Sequence, residues 1–144
     1  MAHRTILVVD DEPHIRSLVK SVLVRDGHEV IEAVDGAEAI AVWERSPDAI
    51  DLLLTDIVMP GMDGCELARQ LSSRTPRVRV LYMSGKCEID VVQEQIKRRG
   101  IGFLRKPFDI EGLRLAVLRI LDQPPKKEPA HEGVPGAKME SRRS

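Results

Sequence analysis

The stretch "LLLTDIVMPGMDG", Leu52 to Gly64, joins a short apolar run to an aspartate and then to a Pro-Gly pair. The continuous apolar character of residues 52–54 predicts a strand buried on both faces, as in a parallel sheet covered by helices. A charge does not belong inside such a strand. Asp56 can lie at its carboxyl end, where open α/β folds bind their ligands. The stretch therefore predicts an α/β fold that presents Asp56 at the edge of a sheet.

Strand and helix patterns alternate along the rest of the chain. Short segments rich in Val, Ile and Leu predict four further strands, at residues 6–9, 30–33, 78–83 and 101–104. Helical periodicity follows each strand, and Asp35 and Asp63 have the spacing of helix caps. Ile89, Val92 and Ile96 stripe a fourth helix, and Leu113, Ala116, Val117 and Ile120 stripe a fifth. Five βα units predict a parallel sheet with helices on both faces and right-handed crossovers.

Composition limits the number of domains. A chain of 144 residues that is 42% hydrophobic can bury one core of ordinary size, and we assign residues 1–122 to it. Residues 123–144 contain four prolines and almost no bulky apolar side chains, which predicts a flexible tail or linker. A net charge of −1 with interspersed charges indicates neither direct nucleic-acid binding nor membrane binding. The start "MAHRTILVVDDEP" lacks the pattern of a signal peptide or anchor, so we expect a cytoplasmic protein.

Three acids are predicted to meet at one edge of the sheet. Asp10 and Asp11 end the first strand and Asp56 ends the third, and a doubly wound sheet brings these ends together. Unit charges about 4 Å apart repel by roughly 1 to 4 kcal/mol, so the cluster needs a cation. Ligands that are all oxygen favour Mg²⁺ or Mn²⁺ over zinc.

A hydroxyl and an ammonium are predicted at the same edge. Ser84 closes the fourth strand and Lys106 follows the fifth. Each has an ordinary structural explanation, as a turn residue and a surface charge, and the acids near Pro13 can complement a helix dipole. Their coincidence at the carboxyl ends of four strands favours a phosphoryl site, because phosphoryl oxygens need several positive or hydrogen-bond-donating partners.

Four motifs, "ILVVDDEP", "LLLTDIVMPGMDG", "YMSG" and "FLRKPF", occur in an order that resembles the receiver domain of two-component response regulators, over about residues 4–122. The resemblance implies a flavodoxin-like (βα)5 three-layer fold with strand order 2-1-3-4-5. It implies that Asp56 is phosphorylated by a phosphohistidine of a histidine kinase or histidine phosphotransfer protein. The domain then assists only its own phosphorylation and dephosphorylation.

The resemblance also implies roles for the other residues of the site. Mg²⁺ is held by the carboxylates of Asp10, Asp11 and Asp56 and by the backbone carbonyl of Val58. Asp10 acts mostly through water. Lys106 pairs with the carboxylate and then the phosphoryl group, and its bond to Pro107 is cis. Ser84, where many relatives carry threonine, bonds a phosphoryl oxygen, and Phe103 is the aromatic partner of the switch. The switch alters a surface formed by the fourth helix, the fifth strand and the fifth helix, which docks an effector or a second copy.

Two other functions are weighed against this one. A metal-dependent phosphohydrolase with an aspartyl-phosphate intermediate places its nucleophile on the first strand with a second acid two residues on, whereas here the acids are adjacent and the best nucleophile is on the third strand. A receiver that binds without phosphorylation does not need Asp56, Ser84 and Lys106 together. The protein is predicted to be a stand-alone regulator or the receiver of a hybrid kinase.

Overall fold

Strands and helices alternate along the chain in the computed structural model, which describes residues 3–85 and 100–122. The strands are β1 (Thr5–Val9), β2 (Glu29–Ala33), β3 (Leu52–Asp56), β4 (Arg79–Ser84) and β5 (Ile101–Arg105). The helices are α1 (Pro13–Arg25), α2 (Gly36–Arg45), α3 (Gly64–Arg74) and α4 (Ile110–Asp122). The predicted fourth helix and the predicted tail lie outside the described residues, so α4 is the fifth helix of the sequence prediction. Within the described ranges, no helix has both the length and the apolar character needed to cross a membrane.

The five strands form one parallel sheet in the order β2-β1-β3-β4-β5, which confirms the predicted fold. The register pairs Val9 with Thr55 and Asp56 with Met83. Ser84 pairs with Arg105, the residue before Lys106. Because all strands run the same way, these pairs align the carboxyl ends of β1, β3, β4 and β5 at one edge.

Each face of the sheet carries its own apolar core. Leu7 and Leu53 point to a cluster that includes side chains of α2 and α3, such as Trp43. The alternate residues Ile6 and Leu52 point to a second cluster with side chains of α1 and α4. All five residues of β3 are buried, because both of its faces are covered. The result is a three-layer sandwich with β3 at its centre.

Two of the helices that begin at the sheet edge carrying the acids have their predicted capping aspartates. The Asp35 side chain accepts a hydrogen bond from the backbone N–H of Glu38 at the start of α2. Asp63 does the same for Glu66 at the start of α3. Both are the predicted N-caps, and each satisfies a backbone donor that the first turn of a helix leaves unpaired. The caps set where the chain turns after β2 and after β3.

Candidate functional site

The three predicted acids converge at the carboxyl edge of the sheet. Asp10, Asp11 and Asp56 each offer a carboxylate oxygen, and these oxygens lie within 4.8 Å of one another. Asp10 directly follows β1 and is fully buried, Asp56 ends β3 with 8% of its surface exposed, and Asp11 is exposed. Adjacent strands with a fixed register impose this proximity. Buried carboxylates this close are unfavourable unless positive charge or hydrogen-bond donors compensate them.

Lys106 supplies part of that compensation. Its ammonium Nζ lies 3.1 Å from Asp10 Oδ2 and 3.1 Å from Asp56 Oδ2. Its backbone N–H donates to the carbonyl of Ser84 at 2.8 Å, which fixes the start of the lysine side chain beside the end of β4. The Lys106–Pro107 peptide bond is cis, as predicted. Lys106 supplies one positive charge to a cluster of three carboxyl groups, so a divalent cation can complement the negative charge that remains.

The two adjacent acids differ in what already occupies their oxygens. Asp10 Oδ1 accepts a hydrogen bond from the backbone N–H of Glu12 at 2.8 Å, and its Oδ2 accepts from Lys106. Across residues 3–85 and 100–122, no hydrogen bond or ion pair engages the side chain of Asp11. Asp11 is therefore the member of the cluster that is open to solvent. A set of carboxylate oxygens fits Mg²⁺ or Mn²⁺, the hard cations predicted from the sequence.

Burial and charge act in opposite directions on the central pair. Burial raises the pKa of Asp56 above its ordinary value of 3.8, and the hydrogen bond and charge of Lys106 only partly offset this effect. For Lys106, burial alone lowers the pKa, but the charges and hydrogen bonds of Asp10 and Asp56 outweigh burial and raise it above 10.5. Lys106 therefore keeps its charge at neutral pH. Additional positive charge at the site favours the ionised, nucleophilic form of Asp56.

The remaining predicted residues occupy three different environments. Ser84 is the last residue of β4, is 1% exposed, and follows Met83, the register partner of Asp56. Val58, two residues after Asp56, has an exposed side chain. Phe103 of β5 is half-buried against the core cluster on the α2 and α3 side, beside its register partner Tyr82. The structure thus brings Ser84 to the edge that carries the acids. Phe103 packs instead against the apolar cluster between the sheet and the helices α2 and α3.

Two residues that contact this edge were missed by the sequence analysis. The side chain of Arg16 donates to the backbone carbonyl of Asp10 at 2.7 Å. Gly64 donates its N–H to the carbonyl of Ile57 at 2.7 Å, and a Cβ at this position would lie 2.1 Å from the carbonyl oxygen of Asp56. A glycine directly after a helix cap is a detectable signal of close backbone approach. The contact of Arg16 has no comparable signature in the sequence.

The sequence matches the response regulator receiver domain family over residues 6–118. Sporulation initiation phosphotransferase F of Bacillus subtilis (strain 168) is 33% identical over 121 residues, which cover 84% of this chain and 96% of that protein. Chemotaxis protein CheY of the same organism is 34% identical over 85% of this chain and all of CheY. Sensor kinase CckA of Brucella abortus (strain 2308) is 33% identical over 83% of this chain, but the match spans only 13% of the kinase.

Solved structures give the same result. A response regulator receiver domain protein from Clostridium thermocellum has a TM-score of 0.75 and 30% identity, covering 82% of this chain and 94% of that one. The receiver domain from hybrid histidine kinase CckA has a TM-score of 0.68 and 34% identity, covering 81% and 98%. The shared domain is thus nearly the whole of some relatives and a small part of others.

Proposed function

This chain belongs to the response regulator receiver domain family of two-component systems, and we propose that Asp56 is its phosphoacceptor. The donor is the phosphohistidine of a histidine kinase or of a histidine phosphotransfer protein. One observation carries the proposal: the Lys106 ammonium lies 3.1 Å from both Asp56 and Asp10, which are two of three converging carboxylates. A fixed ammonium beside a reachable carboxylate is the arrangement that phosphoryl transfer requires.

In the proposed step, a carboxylate oxygen of Asp56 attacks the phosphorus atom in line with the bond that breaks. The phosphorus–nitrogen bond of the donor imidazole is cleaved, and its electron pair stays on the imidazole nitrogen. Lys106 neutralises charge on the carboxylate and then on the phosphoryl oxygens, while the Ser84 hydroxyl donates to one of them. β3, buried along its whole length, holds the nucleophile rigidly in place.

The metal site of the proposal consists of the side chains or carbonyl of Asp10, Asp11, Asp56 and Val58. The negative charge that Lys106 leaves uncompensated supports a divalent cation there. Bound Mg²⁺, or Mn²⁺ in its place, would neutralise charge on the phosphoryl oxygens during transfer. Asp11, which is exposed, would hold the cation directly, whereas Asp10, both of whose oxygens already accept hydrogen bonds, would act mostly through water.

The proposed output is a change in packing around Ser84 and Phe103. When the Ser84 hydroxyl bonds the phosphoryl group, the half-buried ring of Phe103 moves further into the space beside β4. This changes the surface formed by the predicted fourth helix, β5 and α4, which docks an effector or a second copy of the chain. Phosphorylation needs only to shift an existing equilibrium between two packings.

Arg114, a polar residue of α4, forms an ion pair with Asp26 at the end of α1 at 3.0 Å. We therefore place the centre of the proposed surface nearer to β5 than to Arg114. The phosphohydrolase alternative receives no support from the family, whose members are signalling domains.

Replacing the nucleophile tests the proposal. Asp56→Asn removes the attacking carboxylate with little change in volume, so we expect it to abolish labelling by a phosphorylated histidine kinase and leave the circular dichroism spectrum unchanged. Asp48→Asn, at an exposed position away from the site, is the matched control and should be labelled like the wild type. A chelator should stop labelling, and added Mg²⁺ should restore it. Labelling of Asp56→Asn at the wild-type yield would assign the phosphoacceptor to another residue.

A further inference from the structure

We propose that Arg16 is a positioning residue for the metal-binding carboxylates and acts through the backbone of Asp10. The proposal rests on the function proposed above. Arg16 lies on the first turns of α1, and its side chain is only 15% exposed. One edge of its guanidinium donates from Nη1 to the Asp10 carbonyl at 2.7 Å, and its Nε contacts Glu32 Oε1 of β2 at 3.3 Å. The side chain thus connects three elements at the acidic edge.

The Arg16 contact is the tighter of two hydrogen bonds that hold the backbone of Asp10. Asp10 lies beyond the end of β1, and its N–H reaches the carbonyl of Ala33 at 3.3 Å, near the long limit for such bonds. The bond from Arg16 to the carbonyl is 2.7 Å and carries a full charge on its donor, which makes it shorter and stronger than a neutral bond. Without it, only the long bond to β2 fixes this part of the backbone.

The orientation of the Asp10 carbonyl determines the position of Asp11. A peptide group is planar, so the carbonyl of Asp10 and the N–H and Cα of Asp11 move together. Asp11 is exposed and has no hydrogen-bonding partner among the described residues, so nothing else in those residues orients its carboxylate. The guanidinium of Arg16 therefore fixes the position of the Asp11 Cα, from which the Asp11 carboxylate reaches a cation.

Arginine has a specific advantage at this position. Its planar guanidinium offers several donors at fixed angles, so one group can bind the carbonyl of Asp10 and the carboxylate of Glu32 together. A lysine at this position can keep the carbonyl bond but not both contacts in the same geometry. Glu32 is also contacted by the ammonium of Lys20 at 3.3 Å. Lys20 therefore contacts the same carboxylate as Arg16 but, among the described residues, makes no contact with the acids at the sheet edge.

Titration with Mg²⁺ alone tests this role. We expect Arg16→Met, which keeps the aliphatic stem, to weaken Mg²⁺ binding by about 10- to 100-fold, the usual loss when an outer-shell partner of a metal ligand is removed. Binding is measured by amide NMR shifts of the folded full-length chain. Labelling of Asp56 should be slow at low Mg²⁺ and approach the wild-type rate at saturating Mg²⁺. A general loss of structure would not be repaired by added metal.

Two further variants distinguish positioning of the Asp10 backbone from a role in which Arg16 only holds α1 against β2. Lys20→Met removes the other partner of Glu32 and should bind Mg²⁺ like the wild type. Arg16→Lys should show an intermediate affinity, and its titration replaces that of Arg16→Met if the methionine variant does not fold. Wild-type Mg²⁺ affinity in a folded Arg16→Met, or equal losses in Arg16→Met and Lys20→Met, would overturn the proposal. If Asp56 of the wild type is not labelled at all, the proposed function fails, yet the Mg²⁺ titrations still decide the role of Arg16.

Discussion

Gly64 is the residue at which the smallest change should most disturb the phosphoacceptor. It is the first residue of α3 and is buried against the backbone at the end of β3. A methyl group added at its Cα would lie 2.1 Å from the carbonyl oxygen of Asp56 and 3.0 Å from the Cα of Ile57. These neighbours are backbone atoms and cannot rotate away as a flexible side chain can. Gly64→Ala must therefore move α3 or the Asp56 backbone.

The size of the effect follows from these distances. Real Cβ contacts are essentially never shorter than 3.0 Å, so Gly64→Ala must open the contact by close to 1 Å. Overpacking of this kind costs about 1 to 3 kcal/mol, and weakening the 2.7 Å bond from Gly64 to Ile57 costs about 1 kcal/mol more. The better helix propensity of alanine returns up to about 1 kcal/mol. We expect a net loss of about 1 to 3 kcal/mol in the free energy of unfolding.

The same displacement should slow phosphorylation. A misplacement of about 1 Å at a reacting centre can lower a rate by roughly 100-fold. The assay compares the rate of Asp56 labelling in the wild type and Gly64→Ala at saturating Mg²⁺, with urea unfolding measured in parallel. The control is Gly27→Ala, because Gly27 has a φ of +95° and nothing within 4 Å of its added Cβ. We expect backbone strain to destabilise that variant by about 1 to 2 kcal/mol, at the sheet edge opposite the site.

Comparison of the two glycine variants decides the question. Gly27→Ala should lose stability but keep the wild-type labelling rate, whereas Gly64→Ala should lose both. If Gly64→Ala is labelled as fast as the wild type, the contact with Asp56 does not control the position of the nucleophile. Equal slowing of both variants would attribute the effect to stability instead of position.

Three further predictions concern other parts of the molecule. Burial lowers the pKa of His28 below 6.5. Its contribution to the free energy of unfolding is therefore fully present above pH 6.5 and falls with decreasing pH as the unfolded chain takes up the proton, by at most about 1.4 kcal/mol per pH unit. Urea unfolding of His28→Gln should lack this pH-dependent contribution. Val58→Asn places a polar side chain beside Asp56 that can orient the hydrolytic water, and it should shorten the phosphoaspartate lifetime; an unaltered decay rate would contradict this role. Phe103→Ala should leave labelling of Asp56 intact but reduce the amide NMR shifts of residues 100–119 on adding beryllofluoride, and full wild-type shifts would exclude the switch.

Much of the local structure could be predicted from the sequence. The unbroken apolar run before Asp56 predicted a strand covered on both faces, and all of β3 is buried. The spacing of Asp35 and Asp63 from the acids three residues later predicted the two helix caps that the structure contains. These features depend on backbone dihedral preferences and on neighbours within one helical turn, so a short stretch of sequence is sufficient to determine them. The strand order came from the family resemblance, since periodicity alone does not order strands.

Only the tertiary structure decided which groups touch at the acidic edge. The sequence predicted that Lys106 lies near the carboxylates. It did not predict that the Lys106 ammonium lies equally far from Asp10 and Asp56, which are separated from it by 96 and 50 residues. The bond from Arg16 to Asp10 does not follow from local pattern, and a glycine after a helix cap signals a close approach without identifying Asp56 as the neighbour. Such contacts depend on the register between strands and on how each crossover packs its helix. They are set to within an ångström by close packing of the whole domain, which no single segment of the chain encodes.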